Sequence, residues 1–214
     1  MEVYIIFEPS NLLLFIGASL VLILTPGPDM IYVITRAIGQ GRMAGILSAC
    51  GVCGGLIIHT LAAALGLALL LKSCSSAYFI IKYLGAAYLI YLGIKSLAGR
   101  QELKTVTNEQ RQSYKNLFLQ GFLTNVLNPK VALFFVSFLP QFVKGQSPLA
   151  AVQSVVLGLI YFLLCLGVLT AVAALAGKIG NLMSGKTSIG EKISWASGSV
   201  LIALGVNLAL PDKN

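Results

Sequence analysis

The stretch Leu24–Ile31, LTPGPDMI, decides how the first part of the chain folds. It lies inside an apolar segment that otherwise runs from Leu12 to Arg36. Proline removes a backbone donor and clashes with the preceding helical turn, while glycine lets the chain change direction. A charged residue, Asp29, follows the interruption at once. The sequence therefore predicts a helix break beside a carboxylate, and the residues that make the break are Pro26, Gly27 and Pro28.

The composition around this stretch is that of a membrane protein. The chain has 214 residues, of which 57% are hydrophobic and 10% charged, and its mean hydropathy is +0.88. A helix needs about 20 apolar residues to cross a hydrocarbon layer roughly 30 Å thick. The sequence offers six such segments, and we expect an all-α membrane protein with these spans: Leu12–Arg36, Ala44–Leu71, Ala77–Leu97, Leu117–Val143, Pro148–Ala176 and Ser194–Leu210.

Basic residues are distributed unevenly between the connections. The net charge is +8, and the connections after the first, third and fifth spans hold Arg36, Arg42, Lys95, Arg100, Lys104, Arg111, Lys115, Lys178, Lys186 and Lys192. The tails and the other connections hold only Lys72, Lys82, Lys144 and Lys213. The positive-inside rule then predicts that the three basic loops are cytoplasmic and that both termini lie outside. The charge indicates topology and contact with anionic lipid, and no nucleic-acid partner is expected.

The whole chain, 1–214, is predicted to be one transmembrane domain with two related halves. A polar loop, 98–116, divides it into three spans within 1–97 and three within 117–214. Halves with an odd number of crossings must be inverted relative to each other, as in many transporters. A shift of 101 residues supports the repeat, because it superimposes Pro28 on Pro129, Gln40 on Gln141, Gly66 on Gly167 and Asp29 on Lys130.

The fourth span contains a second predicted break. The stretch Asn125–Phe135, NVLNPKVALFF, places Pro129 and three polar residues within an apolar segment. Backbone groups freed at mid-membrane must be satisfied inside the protein or by water, so broken helices line cavities and do not face lipid. The polar residues of this break are Asn125, Asn128 and Lys130.

Asp29 and Lys130 are the charges expected deepest in the membrane. A charge at the bilayer centre costs roughly 2.5 to 3.5 kcal/mol on insertion scales, so an unpaired ion is disfavoured. We expect both to face one central cavity, either as an ion pair or as separate contacts to the two ends of a zwitterion. The alternative interpretation is that the pair only pins two helices together.

Three further features of the second span leave alternatives open. His59 is either a satisfied core histidine or a proton-relay group, and no companion ligands predict a metal site. Cys50 and Cys53 form a CGVC motif, CxxC in pattern, which in a soluble protein would indicate redox chemistry, whereas a free cysteine in an apolar helix usually packs as a small hydrophobe. Gly51 and Gly55 make a GxxxG face, which suits packing against the first span, a homodimer seam or a sliding surface.

No Walker loop, GxSxG elbow or Ser-His-Asp arrangement is present in the sequence, so neither an ATP-driven pump nor a hydrolase is predicted. Transport by passive flow or by coupling to an ion gradient remains. No enzyme activity and no cofactor are expected.

The two breaks in their order also resemble a known family. LTPGPDMIYVITRAIGQGRMAGILSACGVCGGLIIHTLAAALGLALLL followed by GFLTNVLNPKVALFFVSFLPQF is similar to the LysE/RhtB amino-acid exporters, above all to the homoserine/threonine branch. The resemblance covers nearly the whole chain. It implies export of amino acids or close derivatives across a bacterial cytoplasmic membrane, driven by the proton motive force. Residues that match the family motifs are Pro26, Gly27, Pro28, Asp29, His59, Asn128, Pro129 and Lys130.

The expected function is therefore secondary amino-acid export by alternating access, with Asp29, Lys130, His59, Asn128 and Asn125 as the substrate-binding or proton-coupling groups. Two other functions stay open. One is a membrane carrier of reducing equivalents that uses Cys50 and Cys53, and the other is a membrane scaffold that transports nothing.

Overall fold

The described part of the protein is helical throughout. A computed structural model describes residues 7–73, 75–98, 112–143, 149–176 and 188–210, and no strand occurs in those ranges. The helices are α1 Pro9–Leu24, α2 Pro28–Gln40, α3 Arg42–Ser73, α4 Ser75–Leu97, α5 Tyr114–Val126, α6 Pro129–Leu133, α7 Ala150–Ala174 and α8 Ser188–Ala209. Each lies within a few residues of a predicted span. Most of the predicted loop 98–116, and the basic residues Arg100, Lys104, Arg111, Lys144, Lys178, Lys186 and Lys213, lie outside the described residues.

The first predicted span is two helices that meet at an angle. α1 ends at Leu24 and α2 begins at Pro28, and their axes differ by 52°. Thr25 and Gly27 are extended, as expected where Pro26 and Pro28 cannot continue the helical hydrogen bonds. α2 and α3 are joined by the single residue Gly41, whose φ of 94° is readily available only to glycine.

The fourth predicted span is bent in the same way. α5 begins after Ser113, whose side chain accepts a hydrogen bond from the Asn116 N–H, and ends at Val126. α6 begins at Pro129, and the two parts differ in direction by 47°. α6 then continues as a π-helical turn, Phe134–Phe138, and a 3₁₀ turn, Leu139–Phe142.

Several helices have the length and composition to cross a bilayer. The segments Arg42–Gly66 and Ala150–Ala174 do so singly, and the two bent pairs do so when each is taken as one span. The apolar part of α8, Gly198–Ala209, is shorter. The described residues thus establish an apolar helical membrane protein, and the six-span inverted repeat stays a prediction.

α3 lies between the two bent pairs. It packs against α2, α5 and α7, while α4 packs along α8 and α1 contacts α7 and α8. The α3–α5 contact is close because a side-chain carbon at Gly51 would collide with the Phe118 carbonyl, and one at Gly55 would lie 2.7 Å from Asn125 Oδ1. The GxxxG face is therefore occupied by α5, and neither packing against the first span nor a homodimer seam uses it.

Two basic residues lie elsewhere than the charge pattern assigned them. Arg36, counted with a cytoplasmic loop, lies within α2 and is 8% exposed, and Lys82, counted with an outer connection, lies within α4 and is 3% exposed. Hydropathy windows place helix ends poorly, and the long apolar stems of Arg and Lys pack well between helices. Lys130 is consequently not the only lysine buried among the helices.

Candidate functional site

The two helix breaks meet through the side chain of Lys130. Its ammonium donates hydrogen bonds to the carbonyl oxygens of Leu22 and Thr25, each at 2.9 Å. In a continuous helix the Leu22 carbonyl would accept from residue 26, but Pro26 has no N–H. Lys130, which is 7% exposed, thus supplies from the second break the donor that the first break lacks.

Asp29 occupies the first turn of α2, where the helix dipole favours negative charge. The carboxylate belongs to a residue only 9% exposed. Its Oδ2 accepts a hydrogen bond of 2.8 Å from Asn125 Nδ2, whereas its Oδ1 has no hydrogen-bond partner within the described residues. One carboxylate oxygen is therefore positioned and the other is available.

Asp29 and Lys130 lie close together without bonding each other. Over the part of the chain that the structure describes, the carboxylate is held by an asparagine amide and the ammonium by two carbonyls, and no ion pair joins them. The ion pair that the sequence allows is therefore not formed among the described residues, and separate contacts to the two ends of a zwitterion stay a prediction. The proline break explains why the ion pair does not form, because it leaves carbonyl oxygens that attract the ammonium directly.

His59 has the corresponding role at the second break. Its Nε2 lies 3.0 Å from the carbonyl oxygen of Asn125, and a carbonyl can only accept, so this nitrogen carries the proton. Pro129 would be the helical partner of that carbonyl and has no N–H. The carbonyls of Leu22 and Asn125, which Pro26 and Pro129 free, are thus each capped by a side chain from the other half. The His59 ring also packs against Phe135, with centroids 5.8 Å apart.

Asn128 is the residue that caps the start of α6. Its Oδ1 caps α6 by accepting from the Lys130 N–H at 3.0 Å, and its side chain lies beside the Asp29 carboxylate. The Asn128 Nδ2 and the Asn125 Oδ1 have no hydrogen-bond partner among the described residues. The predicted polar residues therefore form one cluster: Asp29, His59, Asn125, Asn128 and Lys130.

The chain matches the family model described as LysE type translocator over residues 20–211. It belongs to this family. It is 32% identical to the homoserine/homoserine lactone efflux protein of Salmonella typhimurium over 91% of this chain and 94% of that one. It is also 34% identical to the leucine efflux protein of Salmonella choleraesuis, over 67% of this chain and 68% of the relative. No solved structure matches the chain.

A third relative is described as the uncharacterized membrane protein YrhP of Bacillus subtilis, with 35% identity over 63% of this chain and 68% of the relative. The predicted resemblance is thereby confirmed, and so is the predicted class. The protein is a membrane transporter of the LysE family and not an enzyme.

A second polar cluster in this LysE family protein was not predicted from the sequence. Arg36 donates to Gln120 Oε1 at 3.2 Å, and its guanidinium carbon lies 5.4 Å from the centre of the Tyr32 ring. Tyr32 donates in turn to the Leu117 carbonyl at 2.8 Å. The signal was present in the sequence, because Asp29, Tyr32 and Arg36 are spaced three and seven residues apart and share one helix face.

Three cysteines, Cys50, Cys53 and Cys165, lie in the described part of the protein. Cys50 is half-buried, Cys53 and Cys165 are buried, and all three are free. Among the described residues, no group of three or more His, Cys, Asp or Glu side chains is arranged to hold a metal ion. Cys74 lies outside the described residues.

Proposed function

We propose that this LysE family translocator exports amino acids or their close derivatives, such as homoserine, threonine or other neutral amino acids, from the cytoplasm. Two relatives support this substrate class by their names, homoserine/homoserine lactone efflux protein and leucine efflux protein. The bacterial cytoplasmic membrane is the proposed location. The site residues supply an independent physical argument.

That argument is a set of buried polar atoms that have no hydrogen-bond partner among the described residues. Buried polar groups are almost always hydrogen-bonded, so each exception needs an explanation. Here the acceptors Asp29 Oδ1 and Asn125 Oδ1 and the donor Asn128 Nδ2 are unsatisfied among the described residues. Acceptors and a donor beside one another match the two ends of a zwitterion, and this is the observation that carries the proposal.

Substrate binding follows from the chemistry of these groups. The ammonium group of the amino acid donates hydrogen bonds to Asp29 Oδ1 and Asn125 Oδ1. Its carboxylate accepts hydrogen bonds from the Asn128 amide and from Lys130. The Lys130 ammonium has three hydrogens, of which the Leu22 and Thr25 carbonyls use two, so one donor remains. Bonds with an ionised partner are roughly twice as strong as neutral ones.

Alternating access is proposed to arise from movement of one half against the other. Six spans in two inverted three-helix repeats would place both breaks at mid-membrane, with the termini outside. Lys130 and His59 each cap a carbonyl of the opposite break, so the halves cannot separate without exchanging these hydrogen bonds. Substrate that supplies replacement partners lowers the cost of that exchange.

The proton motive force is the proposed energy source. Asp29, His59 or Lys130 exchanges the coupling proton, and proton binding from outside favours return of the empty carrier to the inward-facing state. A carboxylate that alternates between substrate ammonium and proton suits this role, because either cation neutralises it in a buried site.

The test is efflux of radiolabelled homoserine, threonine, leucine and lysine from proteoliposomes, with and without a proton gradient. We expect Asp29→Asn to lower gradient-driven efflux about 10- to 100-fold, since a neutral amide forms weaker hydrogen bonds with an ammonium. Glu8→Gln, which removes an exposed carboxylate at the start of α1, is the matched control. Efflux that persists after the gradient collapses would contradict proton coupling, and folded protein that exports none of the four would contradict the substrate class.

A further inference from the structure

α3 and α7 pack against each other in a single antiparallel register. A side-chain carbon at Gly45 would lie 2.9 Å from the Ala173 side chain, and one at Gly158 would collide with the Thr60 side chain. Thr60 is fifteen residues after Gly45 on α3, and Gly158 is fifteen residues before Ala173 on α7. Equal spacing in opposite directions is the relation that two antiparallel helices keep when one register holds along the whole contact.

The same register places Cys53 opposite Cys165. Cys53 is eight residues after Gly45, and Cys165 is eight residues before Ala173. The two thiols are hydrogen-bonded to each other. Cys53 is 0% exposed and Cys165 is 4% exposed, so the pair lies inside the contact between the two helices. The helix register and the thiol contact are separate observations, and they give the same pairing.

The packing of α3 against α7 suits a covalent bond between these thiols. A disulfide requires Cα atoms about 4.4–6.8 Å apart. Glycine at a helix contact lets two backbones approach closely, and a glycine lies on each side of the thiol pair, Gly45 on α3 and Gly158 on α7. The sulfur atoms are already in contact, and rotation of the two side chains brings them to the bonding distance of about 2 Å.

The thiol pair connects the two predicted halves beside the polar site. α3 belongs to the half 1–97 and α7 to the half 117–214. Cys165 interacts electrostatically with both Asp29 and Lys130, which places the pair next to the two helix breaks. A covalent bond here would therefore tie the halves together where alternating access requires them to move.

We propose that Cys53 and Cys165 form a redox site, in which a disulfide between them ties α3 to α7 and stops export. The bond follows from the contact between the thiols, whereas its effect on export rests on the proposed function. Both cysteines are free in the structure, which is the transporting form. Cytosolic disulfides are usually transient and either catalytic or redox-sensing. The CGVC motif thus contributes Cys53, and its redox partner comes from α7 rather than from Cys50.

The oxidant is a peroxide. The sulfur of one cysteine takes a hydroxyl from hydrogen peroxide as the O–O bond breaks, and the thiol proton leaves with the other oxygen as water, which gives a sulfenic acid. The second sulfur then displaces that hydroxyl: an S–S bond forms, an S–O bond breaks, and the second thiol proton leaves with the hydroxyl as water. The two sulfurs together lose two electrons, and the peroxide gains them. A dithiol reverses the reaction by thiol–disulfide exchange and becomes a cyclic disulfide.

The experiment uses the full-length protein in proteoliposomes that export a labelled amino acid. Hydrogen peroxide is added during turnover, because both thiols are covered while α3 and α7 are packed together. Linked peptides are identified by mass spectrometry without reduction, and efflux is measured before and after addition of dithiothreitol. We expect a Cys53–Cys165 link, a loss of efflux equal to the linked fraction, and recovery of efflux when the link is reduced.

Cysteine variants separate this bond from other effects of peroxide. Cys53→Ala and Cys165→Ala should each keep their efflux in peroxide, which also controls for oxidation of methionine. The chain has four cysteines, so a variant with Cys50→Ala and Cys74→Ala retains only the proposed pair. It should stay as sensitive to peroxide as the unaltered protein.

A link between Cys50 and Cys53, no link at all, or a Cys53–Cys165 link that leaves efflux unchanged would overturn the inference. Absence of efflux before peroxide is added is a different result and contradicts the proposed function itself.

Discussion

The two helix breaks look alike in sequence but differ in what they supply. At the second break, Asn128 caps the start of α6 by accepting the Lys130 N–H, and the Asn125 carbonyl accepts from the Asn128 N–H at 2.9 Å as well as from His59. The first break has two prolines, and the carbonyls of Leu22 and Thr25 receive their donor from Lys130. The second break thus supplies a positive charge, and the first break supplies the backbone carbonyls that bind it. A polar site forms only where both are present.

The largest expected effect comes from exchanging the two charges, with Asp29→Lys combined with Lys130→Asp. An ion pair would survive the exchange, but a carboxylate at 130 cannot donate to the Leu22 and Thr25 carbonyls. Two buried acceptors would lose their donor, at about 1–3 kcal/mol each. We expect efflux to fall about 100-fold or more, measured beside the two single variants, and full recovery in the exchanged protein would show that the pair acts only as a tie between helices.

The next effect tests how closely the second break must approach α3. Gly55→Ala places a carbon 2.7 Å from Asn125 Oδ1 and 3.0 Å from the Phe122 carbonyl oxygen. Overpacking of this kind costs about 1–3 kcal/mol, and it displaces the asparagine that holds Asp29. The thermal midpoint and the efflux rate should both fall. Gly66→Ala on the same helix meets nothing within 4 Å and is the control, so equal losses in the two variants would be evidence against a specific contact.

A sharper test separates the capping of α6 from substrate binding. Asn128→Ser keeps an oxygen that can cap α6 but removes the unsatisfied amide donor, and Ser and Asn are comparable capping residues. Stability should be retained while the KM for amino acids rises about tenfold, the loss of one charge-assisted bond. Asn128→Ala removes the cap as well and should cost about 1 kcal/mol of stability. Unchanged KM in the serine variant would remove Asn128 from the site.

The smallest effect concerns the space beside the Lys130 ammonium. A side-chain carbon at Gly27 would lie 3.0 Å from Lys130 Nζ, and the flexible lysine can yield by a few tenths of an ångström. Gly27→Ala should therefore lower efflux only a few-fold, with folding intact. Gly39→Ala, which meets nothing within 4 Å, controls for helix propensity. A complete loss of efflux in Gly27→Ala alone would show that the ammonium position is far less adjustable than its contacts indicate.

Helix positions were predicted well where a long apolar segment contains no proline. The predicted second and third spans, Ala44–Leu71 and Ala77–Leu97, correspond to α3 and α4 within two residues at each end. The sixth was less accurate, since α8 begins at Ser188 and the prediction began at Ser194. Polar residues such as Ser and Lys in the first turns of α8 lower the hydropathy without ending the helix.

The site was predicted as a set of residues but not as a set of contacts. A deep carboxylate and a deep lysine imply each other through the cost of burial, which a sequence shows directly. That proline frees the carbonyl four residues earlier is also readable from the sequence, at Leu22 and at Asn125. Which side chain caps each carbonyl is not, because His59 and Lys130 reach them from distant parts of the chain.

The sequence by itself determined the membrane class, the helix positions and the residue types at the two breaks, since these depend on neighbours along one helix. Only the tertiary structure decided that Lys130 bonds backbone carbonyls while Asn125 holds Asp29, and that Arg36 is buried against α5 rather than placed in a loop. The physical reason is that burial and hydrogen-bond partners depend on how the helices pack and rotate. Local composition leaves those rotations open.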